Sequence, residues 1–249
     1  MPEIRLHDFF KYFKGGEQGQ PQQSEAVQML QSAMPDSLLL NSSPWVQKFR
    51  ESPPEPEVAP GPVTPELMSR YSGHPQSSFG SEFCNDFNEL LAVTKFDTDL
   101  TAFRMLLAQM AHESANWKYM KEISDGWYLE GRCSDLGNCS PGDGPKFRGC
   151  GPIQITGKYN HSAANKLLKE LYNIDDPKVM EIGTDYTADH YAFRFCTAWI
   201  QDNDYFNLCK SGDVVACTKR LNGGTNGLSD RQHWYSVACN KIHQSDLKQ

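Results

Sequence analysis

The sequence lacks any long apolar stretch. No run of about 18 or more apolar residues occurs among the 249 residues, so no transmembrane helix and no membrane insertion are predicted. The first residues, MPEIRLHDFFKYF, lack the basic start, apolar middle and small-residue cleavage site of a signal peptide. We therefore expect the chain to be made in a cytoplasm.

The sequence also has no excess of basic residues. Lys and Arg number 24 against 31 Asp and Glu, which gives a formal charge of -7. A chain with this balance has no general attraction to nucleic acid or to an anionic membrane. Neither is predicted as a partner.

Metal and nucleotide motifs are missing as well. None of the cysteines forms a CxxC, which argues against a structural zinc site. His112 and Glu113 could open a zinc-protease HExxH, but the fifth position is Asn116 and the second ligand is absent. The segment GDGPKFRGCG matches neither the phosphate-binding motif GxxxxGK[ST] nor the dinucleotide-binding motif GxGxxG. We predict no metal and no cofactor.

Cysteine is present in an even number, and sequence alone does not select a pairing. Buried free thiols are the simplest interpretation for most of the eight. Two pairs close short loops and are the first candidates for disulfides, which would form after export or lysis because a cytoplasm keeps thiols reduced. These pairs are Cys133 with Cys139 and Cys209 with Cys217.

Proline divides the chain. The stretch SPPEPEVAPGPVTPE, residues 52–66, removes backbone donors and favours extended conformations, so we predict a semi-rigid linker. Residues 1–51 hold two candidate short helices, Leu6–Phe13 and Ser24–Met34, and form either a packing extension or an attachment module. Residues 67–249 form the main domain.

The main domain is predicted to be mainly α with a small β element. Apolar spacing of three and four residues predicts a series of helices, and only Lys146–Thr156 resembles a strand. Asn222-Gly223-Gly224 is typical of a left-handed helix stop. The predicted helices are Phe79–Thr94, Leu100–Tyr119, Tyr159–Leu171, Tyr186–Trp199, Asp213–Leu221 and Ser229–Ile242, the last with a Ser229–Gln232 capping box.

Glu113 continues an apolar stripe on the helix predicted at Leu100–Tyr119. Leu106, Met110 and Trp117 lie on the same face at three- and four-residue intervals. A carboxyl group held against apolar side chains is desolvated, which raises its pKa toward that of a general acid. A plain helix end at a solvated rim is the alternative.

Glu130 lies in a glycine-rich segment that could wrap over a cleft. Tyr128 and Arg132 flank it, so its surroundings are polar. Two carboxylates in contrasting surroundings fit the acid and the base that hydrolyse a glycosidic bond. With 31 acidic residues in the chain, this pairing alone is not specific.

Four motifs make the interpretation specific. They are AHESANW, YLEGRCSDLGN, SPGDGPKFRGCGPIQITGKYN and LNGGTNGLSDR, in this order. Together they resemble glycoside hydrolase family 19, which includes plant-type chitinases and phage lysozymes. The second motif is more similar to the phage endolysin branch. Residues 1 to about 70 resemble, more loosely, lysozymes of cyanobacterial phages.

The resemblance implies a lysozyme-like, two-lobed α+β fold with a central cleft and a role for each matching residue. Glu113 would be the general acid, Glu130 the base and Thr156 the residue that holds the attacking water. The implied substrate-binding residues are His112, Gln154, Tyr159, Asn160, Asn222 and Arg231, the last as an ion-pair partner near the acid pair.

Simpler roles stay open for several of these residues. Asn222 could be only a helix stop, Arg231 a surface ion pair, Tyr159 a core residue and His112 a hydrogen-bonded helix residue. Gln154 and Thr156 would face one side of a strand together. Where the family usually has arginine, this chain has Cys150, which could be tied to another cysteine.

We therefore expect an inverting peptidoglycan hydrolase that acts on bacterial cell wall glycan in the periplasm or wall. The alternatives are a chitinase, a virion or wall-binding component with a retained hydrolase fold, and a Cys/His amidase. The enzyme would wait in a host cytoplasm until lysis or travel on a phage particle. In the second case residues 1–51 would contact tail or baseplate proteins.

Overall fold

The computed structural model describes residues 60–248. They lie in the second of two units into which the chain divides, Pro56–Gln249. The helices predicted at Leu6–Phe13 and Ser24–Met34 lie outside the described residues, and the predicted division into extension, linker and main domain stays a prediction. Over residues 60–248, every helix is too short or too polar to cross a bilayer.

The described residues form a mainly helical domain, and the predicted fold class is confirmed. Twelve α-helices are joined by short 3₁₀ turns and loops. Their bounds are α1 Pro65–Ser72, α2 Ser81–Thr94, α3 Leu100–Glu113, α4 Cys133–Leu136, α5 Asp143–Lys146, α6 Lys158–Tyr172, α7 Lys178–Glu181, α8 Thr184–His190, α9 Thr197–Asp202, α10 Tyr205–Lys210, α11 Val214–Asn222 and α12 Leu228–Lys241.

Most predicted helices lie close to their expected positions, but the one predicted at Tyr186–Trp199 is interrupted after α8. The buried carboxylate of Asp86 accepts hydrogen bonds from the backbone N–H groups of Phe193, at 2.6 Å, and Arg194, at 3.3 Å. These donors are therefore used by a side chain, and the chain starts a new turn there. Helix α1 begins at Pro65, inside the stretch 52–66 that was predicted as a linker.

Helix α3 lies at the centre of the domain and packs against α10, α11 and α12. Asp99 caps its start by accepting the backbone N–H of Ala102 at 2.9 Å, as an N-cap aspartate does. Nine of its residues are buried, and several have no exposed surface at all. The helix is therefore held by tertiary contacts on nearly every face, which fixes the position of its last residue, Glu113.

The predicted extension of α3 to Tyr119 is wrong, because the helix ends at Glu113. Ala115, Asn116 and Trp117 have φ values of 50°, 58° and 68°, in the left-handed region that L-residues rarely adopt. Ser114 stabilises this reversal: its hydroxyl donates to the Met110 carbonyl at 2.7 Å and accepts the Trp117 N–H at 2.8 Å. Trp117 therefore leaves the helix face and enters an aromatic cluster with Phe83, Phe87 and Phe193.

The strand predicted at Lys146–Thr156 is replaced by two isolated antiparallel bridges, Cys150 with Ile155 and Lys121 with Cys150. Glycine and proline interrupt the segment, so it folds back on itself. Gln154 has a φ of 55°, and Thr156 donates its hydroxyl proton to the Gln154 carbonyl at 2.9 Å. The expectation that Gln154 and Thr156 alternate along one strand is therefore wrong.

Helix α6 is anchored by His161, which is fully buried between the rings of Phe147 and Phe195. Its Nδ1 donates to the Gly157 carbonyl at 3.0 Å, and its Nε2 lies 3.0 Å from the Thr184 hydroxyl. Burial lowers the pKa of His161 from 6.5 to about 4, and the hydrogen bond to Gly157 opposes this shift. The folded protein thus holds this ring in its neutral form.

We predict a loss of stability in acid that depends on His161. Below pH 6.5 the unfolded chain binds a proton at this ring, whereas the folded chain resists protonation until about pH 4. The free energy of unfolding contributed by this group is complete above pH 6.5, and about 3 kcal/mol of it is lost between pH 6.5 and pH 4.

Urea denaturation of wild type and His161→Gln at pH 7 and pH 4 measures this effect. The pH dependence of the variant should be smaller than that of wild type by the same amount. His190→Gln, at an exposed histidine, is the matched control. Equal pH dependence in wild type and His161→Gln would contradict the prediction.

Candidate functional site

The end of α3 and the start of α12 bring together two neighbouring pairs of charged residues. His112 and Glu113 are the last residues of α3, and Asp230 and Arg231 lie in the first turn of α12. His112 Nδ1 lies 2.7 Å from Asp230 Oδ2, and Arg231 Nη2 donates to Glu113 Oε1. Two consecutive residues on each helix thus form two parallel contacts.

Arg231 is the most buried member of this group, with 1% of its side chain exposed. Its Nη1 donates to Gln109 Oε1 at 2.6 Å, one turn before Glu113 on α3. Glu113 keeps 22% of its side chain exposed. The carboxylate therefore faces a guanidinium on one side and solvent on the other. Trp117, which was predicted to lie beside Glu113 on this helix, is not part of it, and the buried guanidinium of Arg231 contacts the carboxylate.

The turn before α12 is built closely against His112. Gly227 has a φ of 71°, and a Cβ atom there would lie 2.1 Å from His112 Nε2. Only glycine fits this position without moving the imidazole. Gly227, and not the predicted capping box, precedes the helix, and no side chain caps it. Gly227, which packs against the imidazole of His112, and Asp230, which contacts its Nδ1, therefore hold this ring in place.

Asn222 ends α11 beside the glycine that terminates the helix. Gly223 is left-handed with a φ of 76°, as predicted for the helix stop. The Asn222 side chain accepts the Gly224 N–H at 2.9 Å and donates to the Asn226 carbonyl at 2.8 Å. Its described contacts are therefore within its own turn, although the residue is exposed to solvent.

The segment from Gln154 to Asn160 brings four predicted residues together. Asn160 donates to the Thr156 carbonyl at 2.7 Å, and both Gln154 and Thr156 are half-buried. Tyr159 is 58% exposed, so it is not a core residue. Its ring packs on Gly137, where a Cβ atom would lie 2.5 Å from the ring.

Both carboxylate oxygens of Glu130 accept hydrogen bonds from backbone N–H groups. Oε1 accepts the Gly142 N–H at 2.7 Å, and Oε2 accepts the Gly144 N–H at 2.8 Å. The close approach requires glycine, since a Cβ at Gly144 would lie 2.6 Å from the Glu130 nitrogen. Glu130 thus connects the loop around it to the turn that begins α5.

Glu122 is a carboxylate that the sequence-based assignment missed. Its backbone N–H donates to the Gly149 carbonyl at 2.9 Å, beside the Lys121–Cys150 bridge. Its Oε2 accepts the Gly149 N–H at 2.9 Å, and its Oε1 accepts the Tyr128 hydroxyl at 2.7 Å. Gln154 approaches the same glycine, because a Cβ at Gly149 would lie 2.2 Å from Gln154 Oε1. Glu122 and Gln154, one of the predicted substrate-binding residues, therefore lie at the same glycine.

The sequence itself contains a signal that points to Glu122. The predicted strand needed a partner, since backbone donors and acceptors of an isolated strand stay unpaired. The short segment Met120–Glu122, between the end of α3 and a run of turn residues, was the nearest candidate. A search for the partner strand would have placed this carboxylate at the bridge.

Of the two predicted disulfides, one is present in the structure and one is not. Cys133 and Cys139 are bonded, as predicted, in the loop that follows Glu130. Cys209 and Cys217 are free, with their sulfurs 3.9 Å apart in the core, so the second predicted disulfide is absent from the structure. Cys150 is also free and buried. Over residues 60–248, no group of three or more His, Cys, Asp or Glu side chains is arranged to hold a metal ion.

Comparisons with known proteins agree with this architecture. Two endochitinases of Arabidopsis thaliana are 34% and 32% identical to the chain over 143 residues each, which is 55% of this chain and 47% and 46% of theirs. A glycosyl hydrolase family 19 domain-containing protein of Haemophilus influenzae is 34% identical over 100 residues, 40% of this chain and 44% of that protein. The chain spans about half the length of the curated relatives it matches. No family model matches it.

Among solved structures, chitinase C from Streptomyces griseus matches with a TM-score of 0.51 and 15% identity, over 75% of this chain and 77% of that one. At this identity the match shows the fold alone. The fold is that of a chitinase- and lysozyme-like helical domain. The resemblance to glycoside hydrolase family 19 that the four motifs predicted is confirmed by the named relatives.

Proposed function

We propose that the protein is an inverting glycoside hydrolase that cleaves β-1,4 bonds of a glycan containing N-acetylated sugars. The observation that carries the proposal is the position of Glu113. It ends a buried helix, is held by the buried Arg231, and still exposes 22% of its side chain to solvent. The relatives named endochitinase and family 19 domain protein support the same class of reaction.

Glu113 is proposed as the general acid. Protonating the leaving oxygen converts its carboxyl group into a carboxylate, and the Arg231 guanidinium stabilises that product by charge and hydrogen bonding. Because Arg231 is buried and also bonded to Gln109, it is in place before the proton moves. His112 is proposed to orient this end of α3 through Asp230.

Glu122 is proposed as the base, in place of the Glu130 predicted from the sequence. Both carboxylates accept two hydrogen bonds, but those of Glu130 come only from backbone N–H groups at the start of α5. Those of Glu122 come from Gly149, which Gln154 also contacts, and from the exposed Tyr128. Single displacement needs about 6.5–9.5 Å between acid and base so that a water fits.

Thr156 keeps its proposed role in holding the attacking water. Its hydroxyl group donates a hydrogen bond to the Gln154 carbonyl, so the lone pairs of the hydroxyl oxygen stay available to accept a hydrogen bond from water. A water oriented in this way presents its own lone pair to the sugar. Gln154, Tyr159, Asn160 and Asn222 are proposed to contact the glycan, the last two through their exposed side chains.

Bacterial cell wall glycan is the first proposed substrate, because YLEGR and DLGN resemble the phage endolysin branch more than the plant chitinases. Chitin is the second, and the two relatives named endochitinase favour it. Both polymers share the β-1,4 linkage and the N-acetyl group. The acid and base alone therefore do not separate them.

Assays with the purified 249-residue chain test the proposal. Turbidity loss of bacterial walls and cleavage of a soluble N-acetylglucosamine hexamer are measured side by side, together with new reducing ends and new amines. We expect new reducing ends from at least one glycan. New amines from walls without reducing ends would identify an amidase instead. Activity on the hexamer with none on walls would select chitin.

We further propose two routes by which the enzyme reaches a wall: release from a host cytoplasm at lysis, or transport on a phage particle through contacts of residues 1–51 with tail or baseplate proteins. The virion alternative without catalysis predicts wall binding with no reducing ends. Mass spectrometry of purified particles distinguishes the two routes.

A further inference from the structure

Exposed large apolar side chains are concentrated in one short segment next to Glu122. Single exposed apolar residues are ordinary on protein surfaces, whereas a cluster beside a functional group calls for an explanation. Ile123 is 76% exposed, Trp127 59% and Tyr128 62%. The two aromatic residues of this segment, Trp127 and Tyr128, are called the aromatic surface below, and Ile123 precedes them in the same segment.

The backbone under the aromatic surface is firmly held. Gly126 has a φ of 80°, and a Cβ atom there would lie 2.9 Å from the Gly144 carbonyl oxygen and 3.0 Å from Arg148 Cβ. Leu129 is buried, and its carbonyl accepts a hydrogen bond from Asn138 at 3.0 Å. A ligand that binds to the exposed rings therefore pays little to order the backbone beneath them.

The chemistry of the aromatic surface is mixed. The Tyr128 hydroxyl donates to Glu122 at 2.7 Å, and burial with this hydrogen bond raises the pKa of Tyr128 to about 12. The phenol thus stays protonated at neutral pH. The rings offer flat apolar faces, while the hydroxyl and the Glu122 carboxylate offer polar groups at the same place. Flat apolar faces next to hydrogen-bonding groups match the two kinds of surface on a pyranose ring.

We propose that the aromatic surface binds one N-acetylated pyranose unit of the glycan, with the Trp127 ring against a sugar face. This deepens the proposed function and rests on it. The aromatic surface is continuous with the proposed active site through the Tyr128–Glu122 hydrogen bond, so a glycan that reaches Glu122 also reaches these rings. Continuity favours the glycan over a second copy of the chain or another protein.

Steady-state kinetics of the 249-residue chain on the N-acetylglucosamine hexamer test the proposal. For Trp127→Ala, loss of one sugar contact should raise KM about tenfold and leave kcat within about twofold. Ile182→Ala is the matched control, since Ile182 is 47% exposed and lies outside the site. Unchanged KM in Trp127→Ala would overturn the proposal.

Binding measurements separate failure of this proposal from failure of the proposed function. Hexamer binding to Glu113→Gln is compared with binding to Glu113→Gln/Trp127→Ala by calorimetry. Weaker binding in the double variant supports the aromatic surface even if wild type cleaves no glycan. Equal binding, or no binding to either, overturns it, whatever the activity of wild type.

Discussion

Replacing Glu113 with glutamine is expected to lower kcat by about 10²- to 10⁴-fold, the range for loss of a general acid. Glutamine has nearly the same shape and still offers an oxygen to Arg231, so the chain should fold and bind glycan. Loss of the titrating carboxyl group then accounts for the loss of rate. Initial rates, melting temperatures and hexamer binding of the purified variant measure the three effects. Unchanged turnover would refute the role of Glu113.

The same assay decides between the two candidates for the base. Glu122→Gln should reduce kcat by a similar factor with little change in melting temperature. Glu130→Gln should act mainly on stability, by about 1–3 kcal/mol, because a charged acceptor for Gly142 and Gly144 is lost. Full activity of Glu122→Gln with an inactive, well-folded Glu130→Gln would return the role of base to Glu130.

The sequence predicted helix α3 but not the reversal of the chain that follows it, and the difference has a physical reason. Helix α3 could be predicted, because its apolar residues repeat at the helical period. The left-handed residues Ala115, Asn116 and Trp117 could not, because tertiary contacts and the Ser114 hydroxyl stabilise a backbone that their own preferences disfavour.

The candidate site shows the same limit. The four motifs implied that Arg231 forms an ion pair near the acid pair, but the helical pattern around Glu113 did not, because the two residues are 118 positions apart and only the packing of α12 on α3 brings their side chains together. The surroundings of Glu113 were therefore predicted from its near neighbours on the helix, which gave an apolar wall. The structure instead has a buried guanidinium at that place.

Arg231 carries the largest predicted effect on stability. Arg231→Met removes a guanidinium that is 1% exposed and leaves the Glu113 carboxylate and Gln109 Oε1 without their partner. Removing one member of a fully buried ion pair costs about 3–5 kcal/mol, and because Glu113 is 22% exposed we expect a loss of about 3 kcal/mol. Urea denaturation at pH 7 measures the difference. Lys169→Met is the control, because Lys169 and Asp175 form an exposed pair whose loss should cost at most about 1 kcal/mol.

A double-mutant cycle shows whether the cost comes from the pair itself. If the unpaired carboxylate is the cause, Arg231→Met should destabilise Glu113→Gln much less than it destabilises wild type, because glutamine carries no charge. Equal destabilisation in both backgrounds would mean that Arg231 acts through packing and its contact with Gln109. In that case the charge of Glu113 would not depend on Arg231, and the proposed stabilisation of the carboxylate after proton transfer would lose its support.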